Sequence, residues 1–277
     1  MNLAPIDTRS DTTAFDPAPA AALLHQAWRN GTQMAELPLQ VRPQTLDEGY
    51  DVQDRLIAEM KDEVAGWKLG VGSPLAMRSG GLLRPLVGRV LKSHCYKSGD
   101  TIGLPNAYPV TVEFEVAFVL GRDIAPTDAV LPPAALIASA HVTFEFVLSR
   151  FVNRRAVGWP SFAGDSVGFE ALVVGPEIDP ASIEAIVASV VASVDGQEVA
   201  RGLVGDDLTD PWSALGSLID HARHRGITLH KGQIVTTGAL AKPFNVAGPD
   251  VEIVAGFLDQ EIRARTKVVA GSAAGED

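Results

Sequence analysis

Two glutamates separated by a single residue, Glu113 and Glu115, are the residues of this chain whose types and spacing most clearly suggest chemistry. They lie in an apolar run, residues 110–120, that predicts a β-strand. Because side chains alternate between the two faces of a strand, both carboxylates share one face, and apolar residues form the other. Buried like charges repel, and a hard cation such as Mg²⁺, Mn²⁺ or Ca²⁺ would neutralise them. The alternative is a solvated strand face that carries glutamate for solubility.

A third glutamate, Glu145, repeats this pattern in a second predicted strand, residues 142–148. It shares a face with Thr143, while Phe144 takes the other. Three carboxylates that converge on one point would form a Mg²⁺-type site with positions left for water and substrate. An ion pair between Glu145 and Arg150, or another base, is the alternative.

Lys68 lies within a short apolar strand flanked by glycines, predicted at residues 67–71. Glycine permits close approach of a ligand to the backbone, and a lysine there would anchor a carboxylate or transfer protons. The alternative is a surface lysine that extends its ammonium into solvent.

Two further segments offer polar groups in loops or at strand ends. Asp165 follows an aromatic and glycine-rich loop, residues 158–168, and is either a reactive group or a turn or cap residue. Thr237 lies in the segment 232–238, whose hydroxyls would bind substrate oxygen atoms, although Thr-Gly is also common in turns.

The composition of the chain restricts the classes of partner and cofactor. Its 277 residues, 46% of them hydrophobic, can form one large domain or two smaller ones. The net charge of −11, with no stripe of lysine or arginine, argues against nucleic acid and anionic membranes as partners. The single cysteine, Cys95, excludes an intrachain disulfide and a zinc site of several thiolates. No glycine-rich phosphate loop follows a strand, so a nucleotide cofactor is not expected.

The candidate residues must be positioned by helices followed by a strand-dominated body. Helices are predicted at residues 17–30 and 46–64, the second with a capping box formed by Thr45 and Glu48. Beyond residue 65 the chain consists mainly of short strands broken by glycine and proline, with one long helix at residues 210–225. We also expect a strand at residues 186–194 and a short helix at residues 132–140. This order predicts an α+β fold.

The pattern divides the chain into four segments. Residues 1–16 and 270–277 are predicted to be mobile tails, because they are small, polar and acidic. Residues 17–64 form an N-terminal helical segment, and residues 65–269 form a β-rich catalytic domain. No apolar run follows a basic start and no stretch reaches the length of a membrane-spanning helix, so we expect a cytoplasmic protein.

Together these segments resemble the fumarylacetoacetate hydrolase superfamily, and more narrowly its 2-keto-4-pentenoate hydratase / 4-oxalocrotonate decarboxylase branch. The resemblance covers most of the chain, from residues 49–53 to the turn at 232–235. Its most specific parts are the Gly-Trp-Lys-Leu-Gly motif at residues 66–70, the run at residues 112–123, and Glu145 followed by Ser149 and Arg150.

The resemblance implies a mixed β-roll-like body and a divalent cation, usually Mg²⁺ or Mn²⁺. The implied metal ligands are Glu113, Glu115 and Glu145. Lys68 would hold the substrate carboxylate or move protons, and Asp165 would also transfer protons. Ser166, in the same loop as Asp165, would face the substrate, and Ser73 matches a small hydroxyl residue that follows the lysine strand.

The resemblance also implies a metal-dependent lyase that acts on small anionic 2-oxo or 2-hydroxydienoic acids in the catabolism of aromatic compounds. Leu86 is a departure, because many hydratases of the branch have Asp there, and it favours decarboxylation or a different oxo-acid reaction. The alternative enzyme is a C–C bond hydrolase of acylpyruvate-like diketo acids. The alternative from another class is a non-catalytic oligomeric partner that retains the metal site. We expect a homo-oligomer and, further, assembly with a related enzyme, because enzymes of this branch can associate.

Overall fold

The structure is a computed structural model that describes residues 14–105, 108–248 and 250–269. The helices in these ranges are α1 (Ala18–Asn30), α2 (Leu46–Met60), α3 (Pro74–Gly80), α4 (Trp159–Gly164), α5 (Ile183–Ser189) and α6 (Pro211–Arg225). The strands are β1 (Val64–Gly70), β2 (Leu86–Leu91), β3 (Cys95–Lys97), β4 (Thr101–Leu104), β5 (Val110–Leu120), β6 (Ile137–Val147), β7 (Phe169–Ile178), β8 (Val191–Val194), β9 (Gln197–Arg201), β10 (Ile234–Ala239), β11 (Phe244–Val246), β12 (Glu252–Phe257) and β13 (Gln260–Val268). Of the two predicted mobile tails, residues 1–13 and 270–277 lie outside the described residues.

Two mixed sheets form the body of the protein. The larger sheet has the strand order β2-β1-β10-β5-β6-β7-β3, with β11 paired to β5. In it, β1 is parallel to β10 and β3 to β7, and the other pairs are antiparallel. The smaller sheet has the order β4-β13-β12-β8-β9, in which β4 and β13 are parallel. The predicted α+β class, with helices before a mixed, strand-rich body, is confirmed.

The two faces of the larger sheet are buried by different partners. On one face, aromatic residues such as Phe114 and Phe144 join the main apolar core, which includes residues of α6 and of the smaller sheet. On the other face, Leu172 and Ile234 pack with Trp28 of α1 and with α2. This second face is also the one that carries the glutamates. The N-terminal helices therefore cover part of the face on which the candidate site lies.

Local capping signals fix the ends of the long helices. In the predicted capping box, Thr45 Oγ1 accepts from Glu48 N and Glu48 Oε2 accepts from Thr45 N, each at 3.2 Å. Helix α6 begins after Asp210, whose carboxylate accepts from Ser213 N at 2.7 Å, and ends at Gly226 in the left-handed conformation. These elements could be predicted because their signals are local. Helix α2 ends earlier than predicted, since the chain from Val64 onward pairs into β1.

Two predicted elements are wrong. Residues 186–194, predicted as a strand, form the end of α5 followed by β8. Ile183, Ile186 and Val190 are all buried, and their spacing fits one face of a helix as well as a buried strand. Residues 132–140, predicted as a helix, contain only a single 3₁₀ turn, Pro133–Ala135, before β6 begins. Pairing of β6 with both β5 and β7 overrides the local proline signal.

None of the helices in the described ranges is long and apolar enough to cross a membrane. The division into four segments and the cytoplasmic location stay predictions. Helices α1 and α2 do pack against the larger sheet, through Trp28 and Ile57.

Candidate metal centre

The three glutamates proposed as metal ligands lie together on one face of the larger sheet. The register of β5 and β6 places Glu113 directly opposite Glu145, and Glu115 directly opposite Thr143. One carboxylate oxygen from each glutamate lies within 4.8 Å of those from the other two. Glu115 and Glu145 are fully buried, and Glu113 is half-buried. The arrangement is therefore a compact acidic cluster that opens toward solvent on the side of Glu113.

The apolar residues between the glutamates keep this cluster in register. Phe114 and Phe144 are paired across β5 and β6, and their rings form an edge-to-face contact at 6.1 Å in the main core. A slip of one residue between the strands would turn every side chain of one strand to the opposite face. Such a slip would bury carboxylates among phenylalanines, so the core itself specifies the register of the acidic cluster.

Lys68 brings a buried ammonium group to the cluster. Its Nζ lies 2.8 Å from Glu145 Oε1 and donates to the Val167 carbonyl oxygen at 3.0 Å. The side chain is 2% exposed, so it does not extend into solvent as a surface lysine would. Strand β10 lies between β1 and β5, and Lys68 is paired with Thr236, which is paired in turn with Ala117. Lys68 therefore shares the sheet face of the glutamates, and it is the base with which Glu145 pairs.

The charges and one unpartnered atom of the cluster fit a divalent cation. Three ionised carboxylates and one ammonium leave a formal charge of −2. Glu115 Oε2 accepts from Gly238 N at 2.9 Å, whereas Glu115 Oε1 has no hydrogen-bond partner in the part of the chain that the structure describes. A buried carboxylate oxygen without a partner is costly, and oxygen ligands are those that hard cations prefer. Glu113, Glu115 and Glu145 thus have the chemistry and the spacing to hold such an ion.

Burial raises the pKa of two of the carboxyl groups. The pKa of Glu115 lies well above its usual range because the group is buried and because Glu145 and Glu113 repel its charge. Burial raises the pKa of Glu145 to about 7, although the Lys68 ammonium favours its ionised form. Protons therefore compete with a cation for the oxygens of Glu145 near neutral pH.

Thr143 and Thr236, which were not among the predicted site residues, also face the cluster. Thr236 Oγ1 donates to Glu145 Oε2 at 3.4 Å. Thr143 is fully buried, and its Oγ1 has no hydrogen-bond partner among the described residues. The neighbouring Thr237, predicted to bind substrate, instead donates to the Val116 carbonyl oxygen at 2.7 Å. The pairing of β10 decides which of the adjacent threonines faces the site, and spacing alone does not reveal that pairing.

The two serines predicted to bind substrate are engaged by the protein itself. Ser73 is half-buried and caps α3, with its Oγ accepting from Ala76 N at 3.2 Å. Ser166 is fully buried, and its Oγ accepts from Arg89 N at 2.8 Å. Neither hydroxyl contacts the glutamates, so a role for Ser73 or Ser166 in substrate binding stays a prediction, as it does for Thr237.

Asp165 lies in a buried ionic network rather than in contact with the glutamates. Its carboxylate accepts from Arg150 Nε at 2.5 Å, Ser149 Oγ at 2.7 Å and Arg150 N at 3.0 Å. Arg150 also contacts Glu170 at 3.2 Å and stacks on Trp28 at 4.0 Å. These contacts occupy both oxygens of Asp165, and they favour a positioning role over proton transfer.

The turn that follows Asp165 has strained backbone geometry. Ser166, Val167 and Gly168 have φ values of 49°, 53° and 73°, in the left-handed region that a β-branched residue rarely adopts. The carbonyl group of Val167 is the one that accepts from Lys68 Nζ. Arg150 Nη2 and Gly168 N both donate to the Asp165 carbonyl oxygen, at 3.2 and 2.9 Å. The network of Asp165 therefore holds the turn whose carbonyl group orients the lysine.

Leu86 forms part of an apolar wall beside Lys68. Strand pairing places Leu86 opposite Gly70, on the same face as Lys68. Leu86 is 1% exposed and packs in a cluster with Phe162 and Val167. At this position β2 therefore presents a hydrocarbon side chain to the site, without a titratable group.

Comparison with known proteins identifies relatives of this chain. No protein-family model matches the chain. The chain is 27% identical over 241 residues to the 2-keto-4-pentenoate hydratase of Paraburkholderia xenovorans LB400, covering 84% of this chain and 88% of the relative. It is 26% identical over 202 residues to a Pseudomonas 4-oxalocrotonate decarboxylase, covering 70% and 77%. The predicted resemblance to this branch is confirmed.

Solved structures of the fumarylacetoacetate hydrolase superfamily have the same fold. The 4-oxalocrotonate decarboxylase from Pseudomonas putida G7, complexed with magnesium and adipate, superimposes with a TM-score of 0.79 at 19% identity, covering 90% of this chain and 97% of that one. A yeast fumarylacetoacetate hydrolase family protein gives a TM-score of 0.51 at 14% identity, covering 77% and 98%. The predicted fumarylacetoacetate hydrolase-like fold is confirmed.

Proposed function

We propose that this protein is a divalent-metal-dependent lyase that acts on small 2-oxo or 2-hydroxydienoic acids in the breakdown of aromatic compounds. The observation that carries the proposal is the convergence of Glu113, Glu115 and Glu145 with the buried ammonium of Lys68. The relatives support it, since they include hydratases, among them a 2-hydroxyhexa-2,4-dienoate hydratase of Comamonas testosteroni, and decarboxylases.

The three glutamates would hold Mg²⁺ or Mn²⁺. When bound, such a cation neutralises negative charge that develops on a substrate oxygen atom. An all-oxygen ligand set favours a hard cation over zinc or copper. The structural relative from Pseudomonas putida G7 has been crystallised with magnesium and with calcium, which agrees with this choice of ligands.

Lys68 would orient the anionic substrate and hold a proton at Nζ. Its ammonium is fixed by Glu145 and by the Val167 carbonyl group, so little reorganisation is needed when an anion binds. Exclusion of water from this position strengthens its attraction for a carboxylate. A proton held at Nζ is available to a carbon or oxygen atom of the substrate during the reaction.

We favour decarboxylation, or another oxo-acid reaction, over strict hydration. Hydration requires a water molecule to be oriented and activated beside the substrate. The wall formed by Leu86, Phe162 and Val167 offers no side chain for that task. An apolar wall suits the hydrocarbon part of a conjugated acid.

A direct assay tests the proposed function. The purified protein is incubated with Mg²⁺ or Mn²⁺ and with 2-hydroxypenta-2,4-dienoate, 4-oxalocrotonate or acetylpyruvate, and the loss of ultraviolet absorbance is followed. Turnover of 2-hydroxypenta-2,4-dienoate indicates hydration, and turnover of 4-oxalocrotonate indicates decarboxylation. Turnover of acetylpyruvate indicates C–C bond hydrolysis. If a protein that binds the metal turns over none of them, the lyase proposal is overturned and the non-catalytic partner is favoured.

The predicted homo-oligomer, and assembly with a related enzyme, belong to this proposal. Light scattering of the purified protein measures whether it forms a homo-oligomer. Co-purification with a hydratase or decarboxylase expressed in the same cells measures assembly with a related enzyme.

A further inference from the structure

The loop between β6 and α4 brings a second cationic side chain to β5, the strand that carries Glu113 and Glu115. Arg154 lies in this loop and is half-buried, and its Nη2 donates to Thr111 Oγ1 at 3.3 Å. Thr111 precedes Glu113 by two residues on β5, so both side chains lie on the same face of the sheet. A rise of about 3.3 Å per residue puts them roughly 7 Å apart along the strand.

The contacts of Arg154 continue to the other side of the site. Its guanidinium lies 6.0 Å from the centre of the Phe162 ring. Phe162 belongs to the cluster that includes Val167, whose carbonyl group accepts from Lys68 Nζ. Contacts therefore run from Thr111 through Arg154 and Phe162 to Val167, whose carbonyl group binds Lys68.

These contacts lie toward the more exposed end of the site. Along the site face of β5, Glu115 is fully buried, whereas Glu113 and Thr111 are half-buried. Exposure thus increases toward Thr111, which is the residue that Arg154 contacts. A ligand that enters the acidic cluster from solvent would pass Arg154.

No carboxylate in the part of the chain that the structure describes neutralises the charge of Arg154 by contact. Its polar and ring contacts are with Thr111 and Phe162, and it has no carboxylate partner within the described ranges. Arg150, in contrast, is paired with Asp165 and Glu170. A guanidinium presents forked donors that match a carboxylate. The free charge and the geometry of Arg154 thus suit an anionic group of a ligand.

We propose that Arg154 binds the distal carboxylate of a dicarboxylic 2-oxo acid and thereby selects dicarboxylates over monocarboxylates. The inference rests on the proposed function, which places the other carboxylate of the same molecule at the glutamate centre and Lys68. An extended six-carbon diacid spans a length similar to the strand segment from Glu113 to Thr111. The substrate class is thereby narrowed to acids with a charge at each end.

Binding of two unreactive acids tests the proposal independently of turnover. Adipate and hexanoate have the same number of carbon atoms and differ in the distal carboxylate. Calorimetric titration of the Mg²⁺-saturated protein is expected to show adipate binding more tightly, on the order of tenfold to a hundredfold. In R154Q this preference is expected to disappear, while affinity for hexanoate changes by less than about threefold.

Matched variants separate this role from a general effect on the loop. R155Q removes an exposed arginine from the adjacent position and is expected to keep the preference for adipate. R154K keeps the charge without the fork and is expected to retain part of the preference. Thermal melting confirms that each variant is folded.

The proposal is overturned if the wild-type protein binds both acids equally or binds neither. It is also overturned if R154Q loses affinity for adipate and for hexanoate to the same extent, or if R155Q also loses the preference for adipate. Should the protein turn over none of the three assay substrates yet show a preference for adipate that depends on Arg154, the lyase proposal fails and this inference stands. Turnover of a monocarboxylate and a dicarboxylate with equal kcat/KM by both wild-type and R154Q would overturn this inference alone.

Discussion

The ammonium of Lys68 lies 2.8 Å from Glu145 Oε1, and neither side chain is more than 2% exposed. Removing two charges from water is costly, and their mutual attraction offsets that cost only when the geometry is good. The ammonium of Lys68 compensates the charge of Glu145, whereas Glu113 and Glu115 have no comparable cation among the described residues. In the proposed function, Lys68 and the metal have complementary roles in the charge balance of the site, and their removal should have different effects.

The first prediction concerns Lys68. K68M should lower turnover by at least about a hundredfold, because it removes the ammonium group that is proposed to orient the substrate and to hold a proton. Affinity for Mg²⁺ or Mn²⁺ should stay the same or rise, because a positive charge next to the ligands is removed. Steady-state kinetics and calorimetric metal titration measure the two effects. K97M, at an exposed lysine, is the control, and wild-type turnover by K68M would exclude Lys68 from the reaction.

The second prediction concerns Glu115, and its two effects have opposite signs. E115Q should weaken metal binding at least about a hundredfold, because a ligand charge is lost. Without metal, the variant should be more stable than the wild type by on the order of 1–3 kcal/mol, because a neutral amide replaces a buried carboxylate of raised pKa. Metal titration measures the loss of affinity, and denaturant unfolding in the presence of a chelator measures the gain in stability. The control, E177Q, lies at an exposed glutamate of β7 and should change neither metal affinity nor stability. Unaltered metal affinity in E115Q would show that Glu115 is not a ligand.

The sequence could predict the acidic residues because strand alternation is a local property. Glu113 and Glu115 share a face whatever β5 pairs with, and the phenylalanines identify the opposite face as core. The sequence does not determine that β6 lies beside β5 in the register that sets Glu145 opposite Glu113. It likewise does not determine that β10 separates Lys68 from β5. The family resemblance, rather than the spacing of the residues, predicted that Lys68 and the three glutamates belong to one site.

Residues in loops show where prediction from sequence fails. The glycine-rich loop left Asp165 as either a reactive group or a turn or cap residue, and it did not reveal the contact with Arg150 that the turn into β7 creates. The contact of Arg154 with Thr111 could not be predicted, because nothing in the local sequence of Arg154 relates it to a residue 43 positions earlier. Contacts of this kind depend on the path of the whole chain, and no periodic pattern reports them.

The third prediction concerns pH. The pKa of Glu145 is raised from an ordinary value of 4.5 to about 7, and that of Glu115 is raised in the same direction. The folded protein therefore binds more protons than the unfolded chain between these values, so the stability of the metal-free protein should fall as pH rises through this window. The stabilisation by saturating Mg²⁺ should increase over the same window, because protons leave the ligand oxygens.

Melting temperatures at about pH 5.5 and about pH 7.5, with chelator or with Mg²⁺, measure both trends. Glu170 provides an internal control, since its pKa is also raised to about 7 by burial but it lies outside the acidic cluster. The contribution of Glu170 to the pH dependence of stability should persist in the presence of Mg²⁺ and disappear in E170Q. A Mg²⁺-induced shift in melting temperature that is the same at both pH values would contradict the assignment of Glu145 as a ligand.

The last prediction distinguishes positioning from proton transfer at Asp165. D165N keeps the shape of the side chain but replaces the charge that Arg150 contacts through Nε and the backbone N–H. Because a buried ion pair is broken, the free energy of unfolding should fall by about 3 kcal/mol. A positioning residue acts through the Val167 carbonyl group and Lys68, so kcat should fall only about tenfold in protein that is still folded, with metal affinity unchanged. A residue that transfers the proton itself would instead show a loss of kcat of about a thousandfold. Two measurements separate these cases: urea unfolding, and kinetics at a temperature at which D165N is folded. The control is N153D, in the exposed loop after β6, which also exchanges an amide and a carboxylate.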